Sequence, residues 1–185
     1  MKIAITGGIG SGKSYVCRLL EQRGISIYDC DAAAKRLMRN SPTLRQRLTA
    51  LIGPDTYDSE GRLNKAEVAR FLLQSEQNAK AIDEIVHPAV AQDFQESGYQ
   101  WMECAILFES GFERLVDKVI VVTAPEEVRI QRIMLRDGIT REKAQEWINR
   151  QWPQNLVVEK SDYEIVNDGQ PLEPQINEIV NSLLT

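Results

Sequence analysis

The chain has 185 residues, 43% of them hydrophobic and 26% charged, with a formal net charge of -5. That length holds one globular domain, or one with a large insertion, and the proportions are those of an ordinary soluble chain. The acidic balance without a long Lys/Arg run argues against a nucleic-acid-coating role, and no apolar stretch approaches the ~20 residues of a membrane span.

Lys2 to Thr6 reads as a short buried strand. Gly7 to Ser14, GGIGSGKS, then fits G-x-x-x-x-G-K-[ST], and an apolar helical pattern follows from Tyr15 through Leu20. Strand, glycine loop and helix in that order are the setting a phosphate-binding loop needs. Glycines at 7, 8, 10 and 12 let the backbone approach a ligand closely, and successive N–H groups can converge on an anion at a helix N-terminus. In such a loop Lys13 reaches the β- and γ-phosphates and the Ser14 hydroxyl ligates Mg²⁺. A plain glycine turn is the alternative, and the complete motif in context outweighs it.

The first helix should stop at Gly24. Ile25 to Tyr28 is a second strand, with Asp29-Cys30-Asp31 at its carboxyl end, where open α/β sheets bind ligands. Either Asp29 or Asp31 could face the phosphates, and Asp31 can equally cap a helix over Ala32 to Arg39. From Ser41 the pattern is helices without strands. Ser41-Pro42 opens one that ends near Gly53, Asn64 caps Lys65 to Gln74, Ser75 caps the next, and Pro88 starts a further helix closing near Gly98. The stretch from about 40 to 98 therefore looks like a helical insertion. His87, the only histidine, precedes Pro88 and is expected outside helical conformation. It reads as a substrate contact or proton carrier, or as a polar cap at a helix junction.

Trp101 to Phe108 is the third strand, interrupted only by Glu103 and ending at Glu109-Ser110-Gly111. Val119 to Val122 is a fully buried fourth. Thr123 and Pro125 open a helix on which Arg129, Arg132 and Arg136 ride before Asp137-Gly138 ends it. Arg132 and Arg136 are four apart and share a face, either a solvated basic surface or a phosphate clamp. Thr140 caps Arg141 to Gln151, and Trp152-Pro153 breaks that helix, with Trp147 and Trp152 expected to pack. Tyr163 to Val166 is the fifth strand and Pro171 to Leu184 the last helix. The alternation implies an α/β fold with a mainly parallel five-stranded sheet covered on both sides. Cys17, Cys30 and Cys104 form no C-x-x-C pair and no leader pattern opens the chain, so a reducing cytoplasm is expected.

Together these residues resemble the dephospho-CoA kinase family, P-loop kinases of coenzyme A biosynthesis. The resemblance rests on Ile5 to Ser14, Asp29-Cys30-Asp31 with Lys35 where the family often has Arg, and Gly61-Arg62-Leu63. It continues through Ile85-Val86-His87-Pro88, Leu107-Phe108-Glu109-Ser110, Arg132 to Gly138, and Gln151, Asp162, Ile165 and Asn167. Ala105, Ser161 and Val157 depart from the family pattern at a usual proline, alanine and basic residue; the phosphate contact expected at 157 is then missing or supplied by Lys160.

What the resemblance implies is a three-layer P-loop kinase sandwich in one domain, 1–185, with a helical substrate-binding insertion at about 40–98 and a lid at about 132–155. It implies transfer of the ATP γ-phosphoryl group to the ribose 3′-hydroxyl of dephospho-CoA. Gly8, Gly10, Ser11, Gly12, Lys13, Ser14, Tyr15 and Arg132 would hold ATP, and Ser14 the Mg²⁺. Asp31, Lys13 and Arg136 would be catalytic, and Asp29, Lys35, His87 and Glu109 would contact the acceptor. The partner implied is a small molecule, not nucleic acid or membrane, acting on a monomer or weak oligomer. A P-loop kinase for a nucleoside monophosphate or another small metabolite is the rival reading. A GTPase-like switch is the second rival, and its N-K-x-D element is matched only by Asn64 to Glu67, inside the insertion.

Overall fold

The computed structural model describes residues 1–184. Two compact units are present, one of Met1–Tyr28 continued from Tyr99 onward, the other of Asp29–Gly98. Strands β1 (Ile3–Thr6), β2 (Ile27–Asp29), β3 (Trp101–Glu103), β4 (Lys118–Thr123) and β5 (Tyr163–Val166) form one all-parallel sheet in the order β2-β3-β1-β4-β5. The chain works first on the β2/β3 side of β1 and then crosses to β4 and β5. The carboxyl end of β1 thus stands where the connections diverge, the position at which open α/β sheets bind ligands.

All four residues of β1 are buried. Ile3 and Ile5 pack in one cluster with Val16 and Leu20 of helix α1 (Lys13–Glu21), with Ile120, Val122 and Ile165 of the sheet, and with Ile176 and Ile179 from the last helix. Each such side chain contributes about 1.5–3 kcal/mol by leaving water, so the strand carrying the loop is anchored on both edges and both faces. The register of the β4–β5 edge is pinned by Asp162, whose carboxylate accepts from the Val119 N–H at 2.9 Å and from Lys118 Nζ at 2.7 Å.

The third strand is shorter than its apolar run suggests. Pairing with β1 ends when the Cys104 N–H donates to Ile5 O at 3.0 Å, because β1 itself stops at Thr6. Without a partner strand the backbone satisfies itself locally. Ser110 N–H donates to Ile106 O, and Phe112 N–H to Leu107 O, both at 2.9 Å, so Ile106 to Phe112 coils instead of extending. Leu107 is fully buried in that coil.

In the second unit, α2 (Cys30–Asn40) and α3 (Pro42–Ile52) pack on the long helix α5 (Glu76–Glu96), beside α4 (Lys65–Gln74). Ser41, Asn64 and Ser75 cap their helices as their positions suggest. Pro88 does not start a new helix. It lies inside α5, and His87 is therefore helical, contrary to the expectation from a residue before proline. An internal proline costs about 3 kcal/mol. Ile85 and Val86 before it, with Val90, Ala91 and Phe94 after it, are all buried, and a continuous buried stripe offsets that cost.

Back in the first unit, α6 (Glu126–Asp137) and α7 (Arg141–Asn149) join through Ile130, Ile133, Ala144 and Ile148. A short helix not apparent in the sequence, α8 (Gln154–Glu159), follows Pro153, and the last helix is α9 (Glu173–Leu184). The Gln154 carboxamide both donates to and accepts from the backbone of Ala124, tying α8 to the end of β4.

Candidate active site

Gly7 to Ser14 connects β1 to α1. Gly12 caps the helix in left-handed conformation, φ 91°, and Gly10 has φ 79°. The Ser11 N–H turns back to Gly8 O at 3.1 Å. The N–H groups of Gly8, Gly10, Gly12, Lys13 and Ser14 find no acceptor among the described residues. Five unmet donors at the start of a helix form a concavity for an anion.

Three of the loop's carbonyls, those of Ile9, Gly10 and Ser11, accept from side chains distant in sequence. Arg132 Nη1 donates to Gly10 O and Ser11 O at 3.3 Å, and the Asn167 carboxamide donates to Ser11 O at 2.9 Å. Arg129 Nε donates to Ile9 O at 2.9 Å, and Gln151 Oε1 accepts from the Ile9 N–H at 2.7 Å. Arg129, Arg132 and Asn167 thus occupy the loop's acceptors and Gln151 holds the Ile9 N–H, which leaves the amides of Gly8, Gly10, Gly12, Lys13 and Ser14 unmet. The family resemblance implies that Arg132 contacts the phosphates. The structure puts its guanidinium on the loop carbonyls and on Asn167.

The backing is tight enough to exclude any side chain at Gly12, where an added Cβ would overlap the Asn167 amide nitrogen. Gly12→Ala combines that overlap with left-handed strain, and is expected to lower the unfolding free energy by about 2–4 kcal/mol, read as a fall in the urea midpoint.

Lys13 Nζ pairs with Glu103 Oε1 on β3, both side chains largely buried, at 12% and 19% exposure. Glu103, the one acid in the third apolar run, thus stands beside the loop lysine, a placement that its position in the sequence does not assign. A charge inside a buried strand was the available signal. Burial, and then the neighbouring Glu103, push the Cys17 thiol up to about 12, so it is a core residue and not a nucleophile. Ser14 and Tyr15 are exposed on the first turn of α1, the Tyr15 ring under the Arg18 guanidinium at 5.8 Å. Ser11 is fully buried, its hydroxyl without a hydrogen-bond partner among the described residues.

Arg136 is separated from Arg132 despite the shared helix face. It is exposed and grips Asp137 through Nε and Nη2, the latter at 2.7 Å. Glu109 is exposed and lines a small pocket with Gly7, Gly8, Arg129, Gln151 and Trp152. Trp152 stacks on Phe108 at 5.9 Å, a packing role as expected.

In the second unit the structure divides the two acids. Strand β2 runs through Asp29 and α2 begins at Cys30, so the strand alternation that would have aligned Asp29 with Asp31 does not continue. Asp29, not Asp31, is the cap: its Oδ1 accepts from the Ala32 N–H at 2.9 Å. Asp31 is exposed in the first helical turn, its carboxylate without a hydrogen bond among the described residues. Lys35 is exposed on α2, and His87 Nε2 lies 3.5 Å from Asp83 one turn earlier.

Among the described residues no cluster of three or more His, Cys, Asp or Glu side chains could cage a metal. What is present, the exposed Ser14 hydroxyl beside five anion-facing amides, fits a Mg²⁺ that arrives with phosphate and water as its other ligands.

A family model described as dephospho-CoA kinase matches residues 1–173. The dephospho-CoA kinase of Porphyromonas gingivalis is 41% identical over 191 residues, covering 99% of this chain and 94% of that protein. The crystal structure of TT1252 from Thermus thermophilus superposes with a TM-score of 0.86 at 31% identity, covering 100% of this chain and 98% of the other. The dephospho-CoA kinase from Campylobacter jejuni, at 20% identity and a TM-score of 0.69 over 99% of this chain and 98% of that one, shares the fold.

Proposed function

This chain belongs to the dephospho-CoA kinase family, and from that premise we propose that it transfers the γ-phosphoryl group of ATP to the ribose 3′-hydroxyl of dephospho-CoA, the last step of coenzyme A synthesis. The observation that carries the reading is the cradle of unmet N–H donors from Gly8 to Ser14, with Lys13 beside it. Phosphoryl transfer through a loose transition state asks the protein mainly for position and charge.

The amides and Lys13 would hold the triphosphate, Lys13 exchanging Glu103 for phosphate oxygens. Arg129, Arg132, Gln151 and Asn167 would hold the loop in its donor-inward form. Asp31 would orient the 3′-hydroxyl and take its proton, a role that rests on the family resemblance and fits a carboxylate with no structural bond to break. Arg136 would release Asp137 and bring charge to the transferring group from a lid at about 132–155. Closure also keeps water, the competing acceptor, away. Lys35, His87, Asp29 and Glu109 are assigned to the acceptor, with the helical stretch of about 40–98 as its binding region. Mg²⁺, held by Ser14, would supply charge neutralisation on the phosphates.

We further assign a cytoplasmic setting without nucleic-acid or membrane partners, as a monomer or weak oligomer. The three buried cysteines, none in a disulfide among the described residues, support a reducing compartment, and no helix among the described residues is long and apolar enough to cross a membrane.

The test is coupled ADP release with dephospho-CoA, AMP, CMP and pantetheine offered singly. Turnover is expected with dephospho-CoA. Turnover confined to a nucleoside monophosphate would replace this acceptor with the rival one.

A further inference from the structure

Most arginines of the second unit are either neutralised or solvated. Arg36 pairs with Asp93, Arg70 with Glu67, and Arg62 with both Asp58 and Glu60, while Arg39 and Arg47 are exposed. Arg45, near the start of α3, is neither. It is half-buried, and its guanidinium lies over the half-buried Tyr57 ring, 4.7 Å from the centroid. That guanidinium makes no hydrogen bond or ion pair among the described residues, because Asp58 and Glu60, in the turn that carries Gly61, are taken by Arg62. A cation withdrawn from water without a counter-charge is ordinarily placed to receive an anion.

The ring engages the face of the guanidinium and leaves its edge of N–H donors open. That edge crosses Gly61, where an added Cβ would lie 3.0 Å from Arg45 Nη2 and 3.1 Å from Nη1. Tyr57 is itself fixed: its hydroxyl donates to Met38 O at 2.7 Å, and its backbone bridges to Leu63. Burial holds the phenol above its ordinary pKa, with Arg45 acting against that, so it stays a neutral donor. A fork held flat before binding loses less conformational freedom when it takes a ligand. Two parallel N–H bonds to phosphate oxygens are the contact such a fork makes best.

Tyr57 also sets the distance from Asp31. Asp31, Lys35 and Met38 stand at i, i+4 and i+7 of α2, on one face. The ends of that row are two helical turns apart, about 10 Å. Asp31 is at one end, and the Tyr57–Arg45 pair meets the other through Met38. In a nucleoside diphosphate ester the 3′-hydroxyl and the 5′-diphosphate are likewise held apart, by one ribose. We propose that Arg45, set on the Tyr57 ring, binds the diphosphate of the acceptor whose 3′-hydroxyl is at Asp31. It thereby selects acceptors that carry a diphosphate. The proposal rests on the reading of dephospho-CoA as the acceptor.

Initial rates with dephospho-CoA varied, and then with ATP varied, test it in wild type, Arg45→Gln and Arg45→Lys. Losing charge-assisted bonds to one phosphate group should raise the dephospho-CoA KM at least about tenfold in Arg45→Gln, with kcat and the ATP KM changed less than about twofold. Arg45→Lys keeps the charge but not the fork, and should fall between the two. Added salt should raise the wild-type KM for dephospho-CoA more steeply than that of Arg45→Gln. An unchanged KM in Arg45→Gln, an equal rise in the ATP KM, or the same salt dependence in both would mean that Arg45 only braces the Tyr57 turn. Any of these overturns the subsite. If Arg45→Gln does not fold, the same comparisons in Arg45→Lys decide. Wild type that binds dephospho-CoA without phosphorylating it would overturn the transfer reaction instead, and calorimetric titration of dephospho-CoA into the same variants then decides the subsite. Wild type that does not bind it overturns both.

Discussion

Lys13→Ala is expected to lower kcat by about 10²–10³-fold, because it removes a preplaced charge from the phosphates as negative charge redistributes over them. The same substitution leaves Glu103, at 19% exposure, without its cation. Stranding a partly buried carboxylate costs stability, here on the order of 1 kcal/mol after allowance for residual solvent, or a few degrees in Tm. The two effects can be separated. Lys13→Ala combined with Glu103→Gln should recover the melting temperature and none of the turnover. If the double variant regained activity together with stability, Lys13 would be a structural partner of Glu103 and the phosphate role would be lost. The comparison uses initial rates of ADP release at saturating ATP beside thermal melts of the same preparations.

Asp31→Asn is expected to reduce kcat by about 10²–10⁴-fold, the usual range for removing a positioned base, and to leave Tm within a degree or two. The second half follows from the structure: the carboxylate is exposed, and no hydrogen bond among the described residues depends on it. Asp29→Ala should behave in the opposite way on stability, losing the cap on Ala32 at about 1 kcal/mol. The pair of variants therefore distinguishes an acid that holds a helix from one that serves the reaction. Near-normal turnover by Asp31→Asn would transfer the base role to Asp29 or Glu109.

Much of this arrangement is legible in local sequence because it is locally determined. The glycine pattern from Gly7 to Ser14 has few backbone solutions between a strand and a helix, and the structure adopts the phosphate-binding one. Ser41, Asn64, Ser75 and Thr140 cap helices where their side chains can reach the N–H groups of the following turn. Tyr163 to Val166 is a strand with the ends its apolar pattern suggests. These outcomes depend on residues close together in the sequence.

The misplacements share a different cause. Trp101 to Phe108 is apolar enough for a long strand, but extension requires a neighbour, and β1 ends at Thr6. His87-Pro88 favours a break, but the buried stripe from Ile85 to Phe94 holds the helix through it. Arg132 and Arg136 look alike on a helical wheel, and only the fold gives one the loop carbonyls and the other Asp137.

The amino-acid order alone determined the phosphate-binding loop, the alternation that makes a parallel sheet, and the helix caps, since each is set by short-range sterics and hydrogen bonding. Tertiary structure decided the rest. It placed Glu103 against Lys13 across 90 residues of chain, and brought Arg129, Gln151 and Asn167 from more than 100 residues away to stand behind the loop. The reason is that a loop made mostly of glycine cannot hold its own donors inward. The carbonyls of Ile9, Gly10 and Ser11 need partners, and the loop's own N–H groups supply none to them.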